Sequence, residues 1–90
     1  MDSKIHAPLD HVVFTDFEGG EGVLVDLNTK KYYQLNETAA LVWRWLEKGK
    51  TTDEITREMT AEFDVSQEHA AASVEKLLRK LLSQKLIRES

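Results

Sequence analysis

At 90 residues the chain has material for one domain and one hydrophobic core, with little left over to enclose a deep cavity. Hydrophobic residues at 41% and charged residues at 31% exclude disorder, and the lack of cysteine excludes disulfides, thiolate catalysis, zinc–thiolate sites and iron–sulfur clusters. A formal charge of −4 argues against a general nucleic-acid binder, because Lys and Arg supply most non-specific affinity for phosphate.

No apolar run approaches the roughly 20 residues needed to cross a bilayer. Met1-Asp2-Ser3-Lys4 lacks the basic-then-apolar order of a signal peptide, so the expected location is the cytoplasm, without membrane association.

Residues up to Pro8 have no hydrophobic period and are expected to fray or lie along the surface. Residues 9–17, with Val12, Val13 and Phe14 at their centre, favour a first strand by β-branched and aromatic content. Glu18-Gly19-Gly20-Glu21-Gly22 is a turn by composition. A phosphate-cradling role for these glycines fails on context, since no Lys-Ser/Thr follows and the next segment is a strand, not a helix.

Val23-Leu24-Val25-Asp26-Leu27 predicts the second strand, and Asn28-Thr29-Lys30 a tight reversal into the third, making a hairpin. The face bearing Val23, Val25 and Leu27 is expected to coincide with the face bearing Tyr33 and Leu35, the side a small helical layer covers. At Asn36 the period changes from two to 3.6. Asn36 can cap the first helical turn, and Glu37 places negative charge at its positive end. Ala39, Val42, Trp43 and Leu46 then recur at helical spacing, with Leu41 and Trp45 on the opposite flank; this is the central helix.

Gly49 stands where a helix commonly ends in the left-handed conformation. Thr51-Thr52-Asp53-Glu54 is a capping box opening a second helix, with Ile55, Met59 and Phe63 as its narrow apolar stripe. Asp64-Val65-Ser66 breaks it, and Ser66 caps a third helix from about Gln67 to Ser83. The stripe Ala70, Ala71, Val74, Leu77, Leu78, Leu81 and Leu82 spans roughly 140° of that helix, wider than one neighbour needs. Lys76, Arg79, Lys80, Lys85 and Arg88 make a basic side next to it, a combination suited to an acidic amphipathic partner. Leu86 and Ile87 form an apolar tail expected to pack back.

The fold class is therefore α+β, with a three-stranded antiparallel sheet followed by three helices in a single domain over residues 1–90. Chemistry is harder to find. His6, His11 and His69 have no ligand-spaced partner and read as surface residues, so no metal site or other cofactor is nominated. No serine sits in a Gly-x-Ser-x-Gly elbow. The pairs Glu18/Glu21 and Asp53/Glu54 belong to a turn and a capping box. Tyr33 and Trp43 fit the core, which leaves Tyr32 and Trp45 as the aromatics open to a stacking role.

The run from Val23 to Leu27, then Tyr32-Tyr33-Gln34-Leu35-Asn36, Thr38-Ala39 and Val42-Trp43, resembles the PqqD family of pyrroloquinoline quinone biosynthesis. So do Gly49, Thr51, Ile55, Phe63, Val65 and the stretch from Val74 to Ile87, which brings the likeness to roughly residues 10–88. The hairpin and Val42-Trp43 look more like the stand-alone PqqD-like proteins that accompany various peptide-modifying enzymes.

The resemblance implies a winged-helix-like fold and a non-catalytic adaptor, a peptide chaperone that recognises the leader of a ribosomally synthesised precursor peptide. Such an adaptor presents the leader to a modifying enzyme, often a radical S-adenosylmethionine enzyme. In the family the leader adds as a strand to the third strand, with side chains entering a groove against the third helix. Carried onto this chain, the edge is Lys30, Lys31, Tyr32, Tyr33, Gln34 and Leu35. The groove is Ala71, Val74, Leu78 and Leu82, with Arg79 and Lys85 at its rim.

An edge strand with unpaired amides can bind a peptide through its backbone, and Lys30 and Lys31 would also keep that edge from self-association. The alternative is a winged-helix DNA-binding regulator, which needs exposed Arg, Asn or Gln on a recognition helix and is disfavoured by the acidic charge. The open edge and wide stripe also allow a homodimer.

Overall fold

Asn36 is the hinge on which the architecture turns from sheet to helix. Its side-chain oxygen accepts the Ala39 N–H at 2.8 Å, satisfying one orphan donor of the central helix while its own backbone stays extended. The computed structural model describes residues 4–89; residues 1–3, whose charge order bears on secretion, lie outside them.

In chain order the elements are β1 (His6–Pro8), β2 (Val12–Asp16), β3 (Gly22–Asp26), β4 (Lys31–Leu35), α1 (Glu37–Glu47), α2 (Thr52–Phe63), α3 (Gln67–Ser83) and β5 (Ile87–Glu89). Strands β2, β3 and β4 form an antiparallel meander in that order, followed by the three helices as the sequence predicts. A second, two-stranded sheet pairs β1 with β5.

That second sheet corrects, for His6 to Pro8, the expectation that the segment frays or lies along the surface, and the reading of His6 as a surface residue. His6 is buried, its Nε2 3.5 Å from the Glu89 carboxylate, because β5 supplies the ladder that three residues cannot form alone. The tail packs back as predicted, with Leu86 and Ile87 both in the core. The first main strand is shorter than residues 9–17, since Leu9 bends away to donate its N–H to the Leu86 carbonyl.

The inward face of β3 is one residue out of phase with the sequence expectation. Leu24 is fully buried and stands opposite Phe14 and Tyr33, whereas Val23 and Val25 lie on the outer face and Leu27 is exposed. The turn decides this. Asp26 is buried and its Oδ1 accepts the N–H groups of Asn28 at 2.9 Å and Thr29 at 3.2 Å, which fixes Asp26 opposite Lys31. Side chains alternate from that pair, so Leu24 goes in and the valines go out.

Helix punctuation follows the local signals. Thr51 and Glu54 form the reciprocal capping box, Ser66 accepts the His69 N–H at 3.2 Å, and Gly49 takes φ +78° just past the end of α1. The core gathers Leu24 and Leu35 from the sheet with Trp43, Leu46, Ile55, Met59, Val74, Leu78 and Leu81 from the helices. Of the two aromatics left open by the sequence, Trp45 joins the core at 6% exposure and Tyr32, at 75%, stays outside.

Candidate functional site: the β4 edge and its cleft

Strand β4 has a neighbour on one side only; among the described residues no strand pairs with its other side. The direction of its backbone follows from the far end of the sheet. Leu27 donates its N–H to the His11 carbonyl and Phe17 donates to Glu21, so the odd-numbered residues of β3 face β2. The even-numbered ones, Gly22, Leu24 and Asp26, therefore bond β4 through Leu35, Tyr33 and Lys31. What remains, the N–H and C=O of Tyr32 and Gln34, points to the open edge.

Side chains alternate at right angles to this. Tyr33 and Leu35 project with Leu24 toward the helices, while Tyr32 and Gln34 belong to the outer face. Between β4 and α3 lies a cleft of about 370 Å³, walled by Tyr33 and Leu35 on one side and Leu77, Lys80, Leu81 and Gln84 on the other. It runs on, through the shared Tyr33 and Gln84, into a wider depression of about 720 Å³ at the hairpin end, where Lys31 and Lys85 stand.

The residues named from the sequence divide into those the structure gathers here and those it scatters. Tyr32, Tyr33, Gln34 and Leu35 line the cleft, Lys31 and Lys85 the adjoining depression, and Lys30 is in the hairpin turn with φ +65°. On α3 the cleft-facing set is Leu77, Lys80 and Leu81, continued by Gln84 just past the helix end. Leu78, Arg79 and Leu82 instead border a separate hollow beside Lys4, His6 and Glu89. Val74 is wholly buried and Ala71 is exposed. The difference is about one residue of helical phase, close to 100°. Residues 77–78 and 81–82 are adjacent leucine pairs, so periodicity alone cannot say which member of each faces the sheet.

The electrostatics of the hairpin end centre on Asp26. Burial pushes its carboxyl up, but the N–H groups of Thr29 and Asn28 and the nearby His11 outweigh that and hold it below the ordinary value. Its Oδ1 is thus committed to the turn. Among the described residues no group of three His, Cys, Asp or Glu side chains could hold a metal ion, and no helix is long and apolar enough to cross a membrane.

The sequence profile of the family described as Coenzyme PQQ synthesis protein D (PqqD) matches residues 21–87, which take in β3, β4, all three helices and the start of β5. The chain belongs to the PqqD family. Among solved structures this PqqD-family chain is similar to TbiB1 in complex with the TbiA(beta) leader peptide, at 30% identity and a TM-score of 0.85. The match covers 90% of this chain and 93% of that one. It also shares its fold with a lasso peptide synthetase B1 complexed with the leader peptide, at 23% identity and a TM-score of 0.83, covering 91% of this chain and 95% of that one. No curated protein matches it.

Proposed function

We propose that the chain is a non-catalytic adaptor that binds the leader of a ribosomally synthesised precursor peptide as an added strand on β4 and presents it to a modifying enzyme. The observation that carries this is the open edge itself: the N–H and C=O groups of Tyr32 and Gln34 face outward directly beside a cleft floored by leucine. Membership of the PqqD family and similarity to a protein captured with a leader peptide support it.

Magnitudes indicate what each part contributes. The outward groups of Tyr32 and Gln34 offer two donors and two acceptors, each worth about 0.5–1.5 kcal/mol net. That sum barely offsets the entropy of association. Micromolar affinity requires about 8 kcal/mol, so side chains entering the cleft, at about 1.5–3 kcal/mol for each buried apolar group, must supply most of it and with it the selectivity.

The receiving enzyme would be a peptide-modifying enzyme, with the radical S-adenosylmethionine class a candidate, and neither a cofactor nor a nucleic acid enters the adaptor's own role. The same edge could pair two copies of the free protein, which light scattering on dilution would reveal. The function is tested by titrating isotopically labelled protein with a leader peptide. Amide shifts and slowed exchange are expected at Tyr32, Gln34, Leu77 and Leu81. Shifts that avoid both β4 and α3 would refute strand addition.

A further inference from the structure

Resting on the strand-addition reading, we propose that the bound strand is acidic: it carries an Asp or Glu whose carboxylate sits between Lys31 and Lys85. That acid lies two residues from an apolar side chain held by Leu77 and Leu81.

The distribution of unpaired charge is the first reason. The protein is net acidic, and its ion pairs among the described residues use Lys4, Arg44, Lys50, Arg57 and Arg79 together with two histidines. Of the cations these pairs leave out, Lys80 lines the cleft, Lys31 and Lys85 line its extension and Lys30 stands in the adjoining turn, while Lys48, Lys76 and Arg88 lie elsewhere. No acidic side chain lines the cleft, and the one that lines the extension, Asp26, is already engaged by two backbone N–H groups and faces His11 at 3.8 Å. A low-dielectric trough rimmed by uncompensated lysines attracts and orients a negative strand.

The backbone supplies a second and independent reason. Among the described residues three non-glycine ones adopt positive φ, and two of them are Lys30 at +65° and Lys85 at +58°. Glycine would occupy either position without the steric cost that a side chain carries there. Lysine at Lys85 gains a little from the carbonyl end of α3, but Lys30 has no helix to complement. Two lysines held where glycine fits better, both at the same end of the same cleft, mark a site where charge is kept at the expense of backbone ease.

Spacing then sets the pattern. Lys31, Tyr33 and Leu35 project from one face of β4 at two-residue intervals, basic at the hairpin end and apolar at the other. A strand laid alongside has the same period, so its inward side chains meet the leucine wall and the lysine pair in turn.

The test uses synthetic strand-forming decapeptides with leucine at one position and Glu, Gln or Lys two residues away, made in both orders and followed by amide shifts and anisotropy. At low salt the Glu peptide should bind about fivefold more tightly than the Gln peptide, and the Lys peptide more weakly than either. The Glu advantage should vanish in a Lys31→Gln, Lys85→Gly double variant and shrink at high salt. Lys30→Gly and Lys85→Gly should keep or raise the melting temperature, which separates lost charge from lost fold. Equal binding of the Glu and Gln peptides, with shifts still on Tyr32 and Gln34, overturns the acidic-strand assignment alone. Absence of shifts on β4 with every peptide removes strand addition and this inference with it.

Discussion

Leu24 stands directly opposite Tyr33 in the β3–β4 ladder, the one fully buried and the other half covered. The pair links core to site: Leu24 holds the sheet on the helices, and Tyr33, backed by it, presents its free side as a wall of the cleft. Leu24→Ala should therefore cost about 2–5 kcal/mol of folding stability, whereas Val23→Ala, on the outer face, should cost about 1 kcal/mol or less. Urea unfolding of both variants checks the phase of the strand, and equal losses would contradict it.

The backbone of the open edge can be addressed without touching the ladder to β3. Gln34→Pro removes an N–H that points away from β3, and proline is tolerated on an edge strand with that N–H side outward. Peptide binding should fall at least about tenfold, the loss of one hydrogen bond and the clash of the ring with an incoming strand together exceeding 1.4 kcal/mol. The melting temperature should shift by a few degrees at most. Tyr33→Pro, which deletes a ladder bond, should unfold the sheet, and binding that survives Gln34→Pro would exclude the edge as the docking line.

What the sequence conveys well is local, and what it conveys poorly depends on contacts between distant segments. Asn36, Thr51, Glu54, Ser66 and Gly49 act within a turn of themselves, so their roles can be read directly from residue type and spacing. The β3 face could not be read that way. Val23, Val25 and Leu27 alternate as convincingly as Leu24 does, and the choice rests on Asp26, whose burial under the turn no periodicity reports. Sheet β1–β5 was invisible for a related reason: three-residue strands carry no period, and His6 is covered only because the last residues of the chain return to it. On α3 the two leucine pairs hid the helical phase, which placed the cleft on Leu77 and Leu81 rather than on Leu78 and Leu82.

Gly22 serves space more than turning. A Cβ there would overlap the Phe14 ring, lying 2.7 Å from Cζ, and would sit 2.9 Å from the Thr15 carbonyl oxygen. Phe14 cannot yield freely, because Arg44 of α1 stacks over it at 5.8 Å and also binds the Asp16 carboxylate. Gly22→Ala should destabilise by about 1–3 kcal/mol through this overpacking. In a Phe14→Leu background the penalty should shrink without vanishing, since the Thr15 carbonyl remains; a double-mutant cycle showing no coupling would refute the account.

Acid should loosen the hairpin and the start of α2 together. The Asp26 carboxyl is held below its ordinary value by the Thr29 and Asn28 N–H groups and His11 against the upward push of burial. Glu54 is held down by the Thr51 backbone N–H and hydroxyl, again against burial, with Lys50 and Arg57 adding to the effect. A depressed folded-state value means the native protein binds fewer protons than the unfolded chain. The stabilisation is present above the unfolded carboxylate range and is lost as pH falls through the folded values. Urea midpoints should accordingly decline from neutral pH into and below the carboxylate range, and less steeply in Asp26→Asn, which keeps an oxygen acceptor for the turn but does not titrate. Parallel curves for the two proteins would show that Asp26 does not drive the acid response.

Leu77 and Leu78 are neighbours with opposite assignments, and they offer the cleanest separation of site from scaffold. Leu78 is 4% exposed within the core, while Leu77 is half-buried on the cleft wall. Leu78→Ser should cost several kcal/mol, through an unfilled cavity and a hydroxyl placed in apolar surroundings. Leu77→Ser should cost about 1 kcal/mol of stability, yet weaken a leader peptide roughly tenfold by removing about 1.5 kcal/mol of apolar contact from its inserted side chain. Calorimetric titration alongside thermal melts of the two variants measures both quantities. If Leu77→Ser binds the peptide as tightly as the parent protein, the cleft between β4 and α3 is not where the peptide's side chains go.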